Sequence, residues 1–142
     1  MTNDVTIREV LVPALEAAFP ASGMRVAAPP EPVAVFPPAC AEVGEVKIYD
    51  DGDEVTVVIE NVTHHHTNPY DSEMTPNERA QWVAHEVVEF LQALFGDRVF
   101  LWSRQQGKGG GGWKQPYGGV IPDDVPQDAD MFVWSRRVER TV

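Results

Sequence analysis

The sequence predicts an α+β domain: a mainly antiparallel sheet of about four or five strands, with a long capped helix packed on one face. Three observations carry this. Alternating apolar residues flank Asp51-Gly52, a capped amphipathic helix runs over about 76–95, and apolar strand patterns follow it. At 142 residues the chain has the size of one domain, read as 1–142 without a boundary.

The first element is an N-terminal helix over about 5–19. Ile7, Val10, Leu11, Ala14, Leu15 and Ala18 fall at helical spacing, with Asp4 as the expected N-cap. Pro13 lies on the polar side with Glu9 and Glu16, where it kinks the helix without opening the core. A proline-rich segment, 20–42, follows. Its prolines preclude a long helix and leave short extended pieces at Met24–Ala28 and Val33–Phe36, suited to a sheet edge.

Glu45–Asp50 and Asp53–Val62 then read as a hairpin closed by a two-residue Asp51-Gly52 turn. That turn sets Ile48 opposite Val55 and Val46 opposite Val57, all on one face, with positive φ at both turn residues. Thr75-Pro76-Asn77-Glu78 supplies an N-cap, a proline at the first helical position and a capping-box glutamate. Gly96 is the expected C′ residue. Ala80, Val83, Ala84, Val87, Leu91 and Leu94 form the buried stripe between them, with Trp82, His85 and Glu89 opposite.

Two strands close the pattern, about Val99–Arg104 and Met131–Val138. Their cores, Phe100-Leu101-Trp102-Ser103-Arg104 and Phe132-Val133-Trp134-Ser135-Arg136, are nearly the same and are apolar on both faces, as central strands are. Between them lies a Gly-rich loop, 105–130, with four consecutive glycines, Gly109 to Gly112. A loop of this length inside a small domain is functional or disordered.

Charge narrows the function. The chain carries 22 acidic and 11 basic residues, a net charge of −11. A nucleic-acid binder needs a basic footprint, and anionic membrane surfaces repel this balance, so neither is an expected partner. A basic protein partner is. Cys40 is the single cysteine, which excludes an internal disulfide. With no basic-then-apolar leader over the first ten residues, the expected compartment is the cytoplasm. No apolar run approaches the roughly 20 residues of a membrane span.

No P-loop, Rossmann or calcium-loop spacing is present. His85-Glu86-Val87-Val88-Glu89 lacks the second histidine of the zinc-protease helix. Two constellations remain. His64 and His66 alternate on a strand, so both imidazoles point one way, as two ligands of Zn²⁺ or another divalent metal do. His85 and Glu89 fall on the solvent face of the long helix, away from that strand. Lys108, Trp113, Lys114 and Tyr117 interleave charge with aromatic rings in the Gly-rich loop, a pattern that can grip a partner. Two function classes follow. One is a non-enzymatic acidic interaction protein (adaptor, inhibitor or immunity-like) with no cofactor. The other is a small metal-binding protein or metal-dependent hydrolase using His64 and His66. Strands followed by one capped helix occur in many unrelated folds, so architecture does not choose between them.

Overall fold

The computed structural model describes residues 6–28, 30–52, 54–71, 73–105, 108–112 and 117–139; of Gln105 and Lys108 it describes the backbone only. Two helices and nine strands make up the described chain: α1 (Ile7–Ala18), β1 (Arg25–Val26), β2 (Ala34–Phe36), β3 (Val46–Asp50), β4 (Val55–Ile59), β5 (Thr63–Thr67), α2 (Pro76–Phe95), β6 (Phe100–Gln105), β7 (Lys108–Gly112), β8 (Asp130–Val133) and β9 (Arg136–Val138). The strands form a five-stranded sheet ordered β1-β2-β3-β4-β5 and a four-stranded sheet ordered β7-β6-β8-β9. Every pairing is antiparallel. The α+β class is as the sequence predicts, with its strands divided between two sheets.

The two helices lie against each other over the inner face of the five-stranded sheet. Ile7, Leu11 and Leu15 are buried on α1, and Ala80, Val83, Ala84, Val87, Phe90, Leu91 and Leu94 on α2. They meet Val46, Ile48, Val55, Val57 and Ile59 from the sheet. Leu101, Phe132 and Trp134 join the same core, which ties the second sheet to the first. The opposite face of the second sheet has its own small cluster, Phe100, Val125, Met131, Val133 and Val138. Consecutive β6 side chains therefore serve two cores, which is why that strand is apolar on both faces.

The α2 N-terminus is as read. The Thr75 hydroxyl accepts from Glu78 N–H at 3.1 Å, and the Glu78 carboxylate accepts from Thr75 N–H at 3.0 Å. The α1 cap differs. Thr6 is the N-cap, its hydroxyl accepting from Glu9 N–H at 3.3 Å. Asp4 lies outside the described residues.

The C-terminus of α2 corrects the glycine assignment. Gly96 has φ −89°, and Asp97 takes the left-handed position at φ 60°. Arg98 N–H bonds Ala93 O at 2.9 Å and Asp97 N–H bonds Leu94 O at 3.1 Å, the two closures of a Schellman motif. Aspartate tolerates that conformation better than most residues. Here its carboxylate also accepts from Ser135 N–H at 3.0 Å and Ser135 Oγ–H at 2.5 Å. Those bonds hold Trp134-Ser135 as a turn, so Met131–Val138 is a hairpin, β8 and β9, and not one strand. The pairing of Leu101 with Phe132 places the two similar segments side by side as expected.

The first hairpin also differs in register. Asp50 pairs with Val55, Ile48 with Val57 and Val46 with Ile59. The loop spans 51–54, and of the expected turn pair Asp51-Gly52 only Gly52 has positive φ, at 99°. Side chains decide this. Asp50 Oδ1 accepts from Gly52 N–H at 2.8 Å, and Asp51 Oδ2 accepts from the Thr56 hydroxyl at 2.5 Å. A slip of two residues keeps every side chain on its own face, so Val46, Ile48, Val55 and Val57 remain buried. No atom would touch a Cβ at Gly52, so the cost of replacing it is local. Gly52→Val is expected to lose about 1–2 kcal/mol through left-handed backbone strain. An unchanged thermal midpoint would refute the turn geometry.

The 53–62 segment is not one long strand. The chain turns at Glu60-Asn61-Val62 and returns as β5, which carries the three histidines antiparallel to β4.

Candidate functional site

His64 and His66 lie opposite Val58 and Thr56 on the face of the sheet turned away from the helices. Both are exposed, and their rings meet edge to face with centroids 4.9 Å apart. Strand alternation sends His65 the other way, where it stacks on Phe90 of α2 at 4.6 Å. The shared direction of His64 and His66 is thus as read, although they sit on a separate strand.

The register that lengthens the hairpin loop brings two carboxylates to His66. Its Nδ1 is 3.1 Å from Glu54 Oε2 and 3.0 Å from Thr56 Oγ. Asp51 completes the group: one ligand-type atom each from Asp51, Glu54 and His66 lie within 4.8 Å of one another. His64 is not in this group. Sequence reading missed Asp51 and Glu54 because it closed the hairpin two residues too early. The available signal was Asn61, a turn residue that ends β4 before the histidines.

A second group of this kind, His85, Glu86 and Glu89, lies on the solvent face of α2. His85 Nε2 is 3.0 Å from Glu89 Oε1, the i,i+4 contact that the helix spacing predicts. The helix points it away from the strand histidines.

The Gly-rich segment is more ordered than an irregular loop. Lys108–Gly112 pairs with β6 as β7. A Cβ on Gly109 would lie 1.8 Å from Trp102 O and 2.7 Å from Val62 O, and one on Gly110 would lie 3.0–3.1 Å from the Trp102 indole. Close approach of backbone to backbone is thus what this stretch demands of its residues. Trp113 and Lys114 lie outside the described residues, as does the Lys108 side chain. Tyr117 is half-buried, its ring 5.3 Å from Phe100 and its N–H donating to Arg98 O at 2.8 Å. Cys40 is half-buried against the main core.

Proton binding is shifted at two sets of ion pairs and at a helix cap. The Lys47–Glu60 pair, 2.9 Å apart, raises the Lys47 ammonium through the Glu60 hydrogen bond. It lowers Glu60, aided by Glu45 N–H. Glu42 and Asp130 raise Arg137, and the Thr75 N–H holds Glu78 below the usual carboxylate range.

The helices carry exposed acidic groups. Glu9, Glu16, Glu78 and Glu89 are exposed on the helices and Glu86 is half-exposed. The helices hold two cations, Arg8 and Arg79, and the Arg79 guanidinium is bonded to Asn68 Oδ1 and Asp71 O. Arg25, Lys47, Arg104 and Arg137 pair with Glu45, Glu60, Asp128 and Glu42 on the sheets and their loops. Among the described residues, no helical glutamate forms an ion pair with lysine or arginine. No helix among them is long and apolar enough to cross a membrane. Compared with protein-family models, curated proteins and solved structures, the chain matches none.

Proposed function

We propose that the chain is a non-enzymatic interaction protein, of the adaptor, inhibitor or immunity-like kind, whose helical face receives a basic protein partner. The observation that carries this is the set of exposed helical glutamates without lysine or arginine partners. Among the described residues, α1 and α2 present Glu9, Glu16, Glu86 and Glu89 without basic partners beyond His85. An excess of exposed charge of one sign raises the local potential, speeds encounter with the opposite sign and repels like-charged competitors.

The test is affinity purification from the chain's own cell, with wild type and with E16Q/E86Q/E89Q. Glu16 and Glu89 are exposed and Glu86 is half-buried at the edge of the helical face, so the near-isosteric variant is expected to fold as wild type does. The expected partner has an excess of lysine and arginine and dissociates as salt rises, because exposed charges are screened beyond about 10 Å at 0.1 M. The variant should bind it roughly tenfold more weakly, mainly through slower association. Equal recovery of the partner by both proteins at equal salt would sink the reading.

A further inference from the structure

We propose that Asp51, Glu54 and His66 form a binding site for one divalent cation of the zinc class, at the tip of the β3–β4 hairpin. This does not depend on the acidic helical face, which lies on the other side of the sheet.

The donors are of two kinds, an imidazole nitrogen and two carboxylates, and their three ligand atoms lie within 4.8 Å of one another. Two ligands on one tetrahedral zinc, each at about 2.0–2.1 Å, are roughly 3.3 Å apart. His66 Nδ1 and Glu54 Oε2 are already 3.1 Å apart. The two carboxylates match the two charges of the ion, and three protein ligands leave a position for water. A mixed nitrogen and oxygen set favours zinc over magnesium or calcium, which prefer oxygen alone.

The backbone places these donors. Thr56 pairs directly with His66 in the β4–β5 ladder, and Asp51 and Glu54 come from the loop that β3 and β4 close. In contrast, His85, Glu86 and Glu89 project from a single exposed helix face.

The Thr56 hydroxyl is 2.5 Å from Asp51 Oδ2 and 3.0 Å from His66 Nδ1, and it has one proton to give. The Thr56 hydroxyl can give that proton to Asp51. A cation held between the three donors turns Glu54 and Asp51 from hydrogen-bond acceptors into ligands. Thr56 then remains bonded to Asp51 and holds it in position.

Titration calorimetry of the full chain, stripped of metal by a chelator, with zinc chloride tests this. Wild type should take up one equivalent, and magnesium chloride should give much weaker heats. H66A and the double variant D51N/E54Q should lose the stoichiometric uptake, while H64A and H85A retain it. T56V should bind about tenfold more weakly. His66 and Asp51 are exposed, so circular dichroism should report unchanged folding. Amide shifts on adding zinc should concentrate at 51–56 and 64–66. The proposal is overturned by wild type that takes up no equivalent of zinc, by uptake that survives in H66A, or by uptake lost in H64A or H85A.

Discussion

Leu91→Ala should cost about 2–5 kcal/mol, a large part of the roughly 5–15 kcal/mol that holds a domain folded. Leu91 has 0 % of its surface exposed and lies in the α2 stripe that meets α1 and the five-stranded sheet. Truncation removes three buried carbons and leaves a cavity whose walls belong to regular elements on both sides. Such walls relax little, which places the cost above the transfer term alone. Urea unfolding followed by circular dichroism gives the difference, as a lower midpoint at an unchanged slope. A loss below about 0.5 kcal/mol is what exposed sites show, and would contradict the burial.

Gly109→Ala should be comparably severe for the opposite reason. The added methyl group would meet two backbone oxygens, Trp102 O at 1.8 Å and Val62 O at 2.7 Å. Neither can rotate away as a side chain can, so β7 must leave β6 or the turn before β5 must shift. Overpacking of this kind costs about 1–3 kcal/mol and more where the backbone has to move. Gly118→Ala is the control, because nothing lies within 4 Å of a Cβ there and its φ is not left-handed. Its effect should stay within about 0.5 kcal/mol. Equal thermal midpoints for the two variants would mean that β7 is not seated where the structure has it.

These sites show what local sequence can and cannot carry. The α2 helix was legible because Thr75, Pro76 and Glu78 act on their own helix, within three residues of one another. The buried face of the first hairpin was legible because alternation survives a slip of two. Its register was not, because Asp50 and Asp51 set it through hydrogen bonds that a turn rule does not count. The β8–β9 turn was out of reach: Ser135 is held by Asp97, 38 residues earlier. The same segment, freed of that carboxylate, reads as a strand. The glycines of β7 looked like a loop because their requirement comes from Trp102 and Val62, neither of which is adjacent in sequence. At the candidate site, alternation was enough to put His64 and His66 on one face. The convergence of Asp51 and Glu54 on His66 needed the register and the β4–β5 turn together.

The meander of the first sheet bears on how the chain reaches this structure. Each of its four ladders joins strands that follow one another in the chain. Every pairing closes a short loop, and closure entropy grows only with the logarithm of loop length. The sheet can therefore grow strand by strand, each new strand templated on the last, without a distant segment having to arrive first. The second sheet has no such route, since β6 must wait for β8 beyond the 113–129 stretch. Contact between α1 and α2, from opposite ends of the meander, is the long closure of the first half. Non-local closures of this sort set folding speed more than stability does. Assembly is thus divided in time: a zipper from β1 to β5, and two slower joinings that lock it.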